Sequence, residues 1–198
     1  RAIAAAAAHP LGVGDARYRY SDQPGLVDTV PFGSFFAEML NRVGRYDPTL
    51  LSNEDYELNT RIRLQGGKVY FDPANRSVYF ARSTLSSLAR QYFRYGYWKL
   101  RMLKRYPATL RWRQALPPVF TASLLILMLA AVFLPLARWL LLLELGTYFM
   151  ILAAGSIPVA RKKRDLRFII GVPLAIVVMH VAWGTGFLWS LIKSAVES

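Results

Sequence analysis

Two short stretches carry the residue types that could do chemistry. The first is NEDYE, which holds Glu54 and Asp55 side by side. A carboxylate of this kind can take a proton from a sugar or alcohol hydroxyl, provided a neighbouring site holds the reacting partner. Acids at a helix start also serve as simple partners of the helix dipole, and that reading stands beside the chemical one. The second is RQYFRY, where Gln91 and Arg94 are three residues apart and Gln91 and Tyr95 four apart. On a helix these spacings put an amide, a guanidinium and an aromatic ring on one face, where they can meet one ligand. A basic helix lying on lipid headgroups would show the same spacing.

Both stretches need elements to hold them. SNEDYELNTRIRLQGG reads as a helix, capped by Ser52 or Asn53, with Glu54, Asp55 and Glu57 in its first turn and Gly66 or Gly67 at its end. KVYFDP and Ser77 to Phe80 read as short strands, as does Val27 to Val30 before Pro31. Phe35 to Val43 has helical spacing, with Ser34 as its cap and Gly44 after it. Ala2 to Ala8 favours a helix that Pro10 stops, LGVGD reads as a loop, and SDQPG as a turn. Ser83 or Thr84 caps a helix to about Tyr95, which Gly96 bends before a continuation from Trp98 to Tyr106.

The stretch from Arg82 to Arg113 holds nine Lys or Arg residues, seven aromatics and no acid. A basic and aromatic strip suits an anionic membrane surface or a negatively charged substrate. Beyond it the composition changes. Residues 115–137, 139–160 and 168–192 are apolar runs in which Glu144 is the one formal charge. A spanning helix needs about 20 such residues, so three spans are expected. Pro117-Pro118 marks the start of the first. Residues 1–113 carry 18 of the 25 basic and 9 of the 12 acidic residues. Arg111 and Arg113 precede the first span, only Arg138 lies between the first two, and Arg161, Lys162, Lys163, Arg164 and Arg167 precede the third. The excess of positive charge then places residues 1–113 and the 161–167 loop in the cytoplasm.

Composition excludes several classes. With no cysteine there is neither a disulfide nor a thiolate metal site, and His9 and His180 are too far apart to suggest a zinc cluster. The net charge of +13 would suit nucleic acid, but it concentrates beside aromatics and apolar runs, and no nucleic-acid motif is present. No nucleic-acid partner is expected. The chain opens on Arg1 in RAIAAAAAHP, which lacks the order of a signal peptide, so it is expected to begin inside a larger protein.

VDTVPFG, NEDYELNTRIRLQGGKVYF, RQYFRYGYWKLRMLKRYP with RQALPP, and HVAWGTGF at 180–187 together resemble the C-terminal portion of membrane glycosyltransferases of family 2. The likeness is nearest to the group that makes the exopolysaccharide succinoglycan. It implies an α/β fold, in which residues 1–80 form the acceptor-side part of a GT-A domain. Residues 81–113 would hold the catalytic-motif and interfacial helix, and 115–198 the membrane region.

The resemblance implies transfer of a sugar, with inversion, from a nucleotide-sugar donor to a lipid-linked saccharide acceptor at the bacterial cytoplasmic membrane, in contact with membrane lipids. Asp55 would be the base with Glu54 beside it, and the family's Q-x-x-R-W signature falls on Gln91, Arg94 and Tyr95, with Tyr in place of Trp. Phe32 and Gly33 resemble the loop lining the acceptor site. A divalent metal, Mg or Mn, is implied for the whole enzyme, with ligands mostly outside this chain, because no D-x-D motif occurs in it. Two rival readings stay open. One is a non-catalytic module that anchors to membrane or binds a partner. The other is a transport component using Glu144 and His180.

Overall fold

The computed structural model describes residues 1–107 and 112–196. Arg111, one of the charges flanking the first expected span, lies outside the described residues. The elements in order are α1 (Ala2–Ala6), α2 (Pro10–Val13), a 3-10 turn (Arg17–Arg19), β1 (Gly25–Leu26), α3 (Ala37–Val43), α4 (Glu54–Leu64), β2 (Tyr70–Phe71), α5 (Leu85–Arg105), α6 (Trp112–Ala130), α7 (Pro135–Lys163) and α8 (Phe168–Val196).

The described chain is mostly helical, and the expected α/β character is limited among the described residues to one two-stranded sheet. Only β1 and β2 pair, antiparallel, with Gly25 opposite Phe71 and Leu26 opposite Tyr70. The N–H of Val27 donates to the carbonyl of Val69 at 3.0 Å and extends the pairing by one bond. Val27 to Val30 forms no strand of its own, and neither does Ser77 to Phe80, whose Val78 and Phe80 are exposed. Both have strand-like composition, but a strand needs a partner to pair its backbone groups, and two strands alone make a marginal sheet. No GT-A Rossmann sheet is present among the described residues.

Helix ends follow local chemistry with some displacement. Thr84 and Ser87 form a reciprocal cap on α5, which then runs unbroken through Gly96. Phe36, not Ser34, precedes α3, and Gly44 ends it at φ 85. LGVGD is not a plain loop: Pro10 opens α2, and His9 caps it by accepting from the N–H of Leu11 at 3.1 Å.

Three helices, α6, α7 and α8, are long and apolar enough to cross a membrane, which makes this a multi-pass membrane protein. The division between the first two falls earlier than the charge pattern suggests. α6 ends at Ala130 and Pro135 opens α7, because proline at the first helical position loses no backbone bond. Arg138 then donates to the carbonyls of Ala131 at 2.7 Å and Val132 at 3.4 Å, satisfying groups at the end of α6. α6 and α7 present apolar side chains such as Leu125, Leu129, Leu142 and Leu143 outward. α8 is the central helix, and Val172, Ala175, Ile176 and Met179 are fully buried in the core around it. Within the bundle Ser123 hydrogen-bonds Glu144, and the Tyr148 hydroxyl meets Nδ1 of His180 at 2.9 Å.

The most extensive helix pair is α5 with α8. Their backbones approach so closely that a Cβ at Gly96 would lie 2.0 Å from the carbonyl oxygen of Trp183, and one at Gly186 2.1 Å from that of Phe93. Small residues allow such contact between helices in a membrane setting. α1 also packs on α8, with Ala6 completely buried.

Candidate functional site

Asp55 enters the site because α4 starts where it does. Asn53 precedes the helix in the left-handed region, at φ 66, and its side chain makes no capping bond. Instead its amide donates to the backbone carbonyl of Tyr95 at 3.1 Å. This bond sets the first turn of α4 against the middle of α5, so the two motif stretches lie together. Deeper in the same contact, Lys99 is buried and its ammonium lies 3.6 Å from the centre of the Tyr56 ring. That cation–π contact compensates for part of the water the ammonium gives up. Lys99 thus joins the interior, away from the surface strip that its sequence context suggests.

Asp55 is half-buried, and one carboxylate oxygen accepts from the hydroxyl of Tyr46 at 3.2 Å. Burial pushes the carboxyl up from the usual aspartate range. The Tyr46 bond pulls it back, and the neighbouring charge of Glu54 pushes it up again. The Tyr46 hydroxyl is also pushed up, by burial and then by the charge of Asp55. Glu54 is partly exposed beside them.

Gln91 and Tyr95 do meet. Gln91 is buried; its Nε2 donates to the Tyr95 hydroxyl at 2.6 Å and to the Tyr79 hydroxyl at 3.3 Å, while its Oε1 accepts from Nε of Arg82 at 3.1 Å. Burial pushes the Tyr95 hydroxyl up, against the opposing bond from Gln91. The guanidinium of Arg19 lies over the Tyr79 ring at 5.0 Å. Arg94 goes elsewhere. It is exposed and lines a groove of about 260 Å³ with Phe93, Tyr97, Trp189 and Lys193. One helix face by spacing thus becomes two surfaces, an inward Gln91–Tyr95 pair and an outward Arg94.

Phe32 and Gly33 belong to a loop hung on α4. The buried amide of Asn59 donates to Oγ1 of Thr29 at 2.8 Å and to the carbonyl of Val30 at 3.1 Å. Asn59 lies four residues after Asp55, so the loop and the carboxylate share one support. Phe32 takes φ 54, uncommon for a bulky residue, and its ring is 85% exposed.

A second set of contacts fixes α4 itself. Glu57 is buried and forms a two-pronged ion pair with Arg61, at 2.6 and 2.9 Å. Tyr106, after α5, donates to the same carboxylate at 3.1 Å. Arg61 also donates to the carbonyls of Val43, Gly44 and Arg45, closing the end of α3. Arg105 pairs with Asp47. The four-residue spacing of Glu57 and Arg61 is readable in the sequence; the roles of Tyr46, Asn53, Asn59 and Tyr106 depend on long-range contacts and leave no such signal. No group of three carboxylate or imidazole side chains that could hold a metal ion occurs among the described residues.

No family model matches the chain, and no solved structure matches it. Two curated proteins are similar to it. The succinoglycan biosynthesis protein ExoA of Rhizobium meliloti (strain 1021) is 29% identical over 157 residues, which are 76% of this chain and 44% of that protein. The dolichyl N-acetyl-alpha-D-glucosaminyl phosphate 3-beta-D-2,3-diacetamido-2,3-dideoxy-beta-D-glucuronosyltransferase of Methanococcus voltae is 23% identical over 181 residues, which are 91% of this chain and 52% of that protein. The chain spans about half the length of these relatives. The similarity amounts to weak, partial homology to family 2 glycosyltransferases.

Proposed function

We propose that this chain is the acceptor-side and membrane part of an inverting family 2 glycosyltransferase. The whole protein moves a sugar from a nucleotide-diphosphate donor to a lipid-linked saccharide in exopolysaccharide synthesis, at the cytoplasmic face of the bacterial inner membrane. Residues 1–80 belong to the C-terminal part of its GT-A domain. The observation that carries this reading is the Asn53–Tyr95 hydrogen bond, which sets the helix start bearing Asp55 against the stretch bearing Gln91 and Tyr95.

Asp55 takes the proton of the acceptor hydroxyl as its oxygen bonds to the anomeric carbon of the donor sugar. The bond from that carbon to the diphosphate breaks, and the negative charge leaves with the diphosphate. A carboxylate held partly out of water by burial, as Asp55 is, is a better proton acceptor than an exposed one. Tyr95 offers a flat face for a sugar ring, with Gln91 fixing its hydroxyl. Arg94, which lines a separate groove with Trp189 and Lys193, takes no part in this step. The exposed Phe32 ring and Gly33 border the acceptor. None of these roles uses a metal held by this chain.

The test is Asp55→Asn in the full-length protein, assayed in membranes for donor-nucleotide release coupled to acceptor elongation. The expected outcome is a fall of roughly 100-fold to 10,000-fold in transfer with membrane insertion unchanged. Transfer at the wild-type rate would remove Asp55 from the role of base.

A further inference from the structure

The turn between α7 and α8 holds a cavity of about 500 Å³ that the transfer reading does not use. Its walls divide by chemistry. Ile157, Leu166 and Ile169 supply an apolar side, and Arg161 and Arg164 supply two exposed guanidinium groups. Leu166 is 78% exposed although it sits in a turn crowded with charge. Asp165 also borders the cavity, but its carboxylate is engaged in the turn, accepting from the N–H of Arg167 at 2.9 Å. Neither Arg161 nor Arg164 has a carboxylate partner among the described residues.

The backbone adds a separate observation. Arg164 ends α7 in the left-handed conformation, at φ 52. That position usually carries glycine, because a Cβ there crowds the following carbonyl oxygen. Here it carries an arginine that lines the cavity. The five basic residues Arg161, Lys162, Lys163, Arg164 and Arg167 face one acid, Asp165, across seven positions.

We propose that this cavity binds one anionic phospholipid, its phosphodiester between Arg161 and Arg164 and an acyl chain along Ile157, Leu166 and Ile169. A soluble phosphate would gain nothing from the apolar wall, and a neutral lipid nothing from two unpaired guanidinium groups. Cation-lined pockets where spans leave the bilayer suit this class of ligand. Guanidinium also matches the forked geometry of phosphate oxygens better than ammonium does. The site rests on the membrane reading of α7 and α8 and not on any transfer activity.

The experiment places the full-length protein in nanodiscs of phosphatidylcholine with a minor fraction of phosphatidylglycerol, extracts it into mild detergent, and measures co-purifying lipid by native mass spectrometry. Wild-type protein is expected to retain phosphatidylglycerol over phosphatidylcholine. Arg161→Gln with Arg164→Gln should reduce that preference roughly thirty-fold, the equivalent of about 1 kcal/mol for each cationic contact. Lys162→Gln with Lys163→Gln removes the same charge without touching the cavity wall and should leave the preference intact. Millimolar inorganic phosphate should not displace the lipid. Equal retention of both lipids by wild type, wild-type preference in the arginine variant, or an equal loss in the lysine variant would overturn the site. Displacement by inorganic phosphate would make it a simple anion site and likewise overturn the lipid assignment.

Discussion

The side-chain amide of Asn53 donates to the backbone carbonyl of Tyr95 at 3.1 Å, across 42 residues of chain. This bond joins the residue before α4 to the middle of α5, beside the contact of Lys99 with the Tyr56 ring. Because Asn53 sits at φ 66, replacing it with glycine keeps the backbone unstrained and removes only the bond. Asn53→Gly is expected to lower stability by about 1 kcal/mol, read as the unfolding midpoint in detergent. Transfer should fall further than that loss of folded protein accounts for, because Asp55 loses its setting. Unchanged transfer would separate the bond from the site.

Tyr46→Phe tests the environment of Asp55. The Tyr46 hydroxyl lowers the Asp55 pKa, so its removal leaves burial and the charge of Glu54 to raise it further. A base works only when ionised, so the acid limb of the transfer–pH profile should move to higher pH in the variant. Stability runs in the opposite sense. A carboxyl whose folded pKa lies above its unfolded value contributes stability at low pH, and that contribution is lost as pH rises through the folded pKa. Superimposable pH profiles for wild type and Tyr46→Phe would show that the hydroxyl does not act on the base.

Arg61→Met leaves the buried Glu57 carboxylate without its two-pronged partner and opens the three carbonyls that end α3. Breaking a buried pair from one side costs about 3–5 kcal/mol. The expected result is a large drop in the unfolding midpoint, confined to the polar half, with α6 to α8 still inserted. Limited proteolysis of membranes would read it as new cleavage before residue 107 alone.

Gly96→Ala puts a methyl group 2.0 Å from the Trp183 carbonyl, a backbone atom that cannot swing aside. The strain of overpacking is expected to cost about 1–3 kcal/mol or to push α5 and α8 apart. Gly146→Ala is the matched control, since a Cβ there meets nothing within 4 Å. That change should be neutral or stabilising by up to about 1 kcal/mol, as alanine is the better helix former. Equal midpoints for the two variants would mean that the α5 and α8 backbones are not in contact at Gly96.

Much of the molecule is written into local runs of residues. The three membrane helices follow from unbroken apolar composition, which acts wherever the run is placed. The start of α5 follows from the Thr84–Ser87 cap, and the end of α3 from Gly44. The nearness of Glu54 and Asp55 needs no folding at all. Strand-like alternation in Ser77 to Phe80 did not make a strand, because a ladder needs a second strand that alternation cannot provide.

The tertiary structure decided the rest. Helical spacing ranks Gln91, Arg94 and Tyr95 as neighbours, but only the packing of α8 and of Tyr79 turns two of them inward and leaves Arg94 outward. It also takes Lys99 out of a basic strip and sets it on the Tyr56 ring. Composition says what a side chain costs to bury, whereas only a completed contact, such as Gly96 on Trp183, says what it is buried against. Such partners come from segments dozens of residues apart, and no local pattern encodes them.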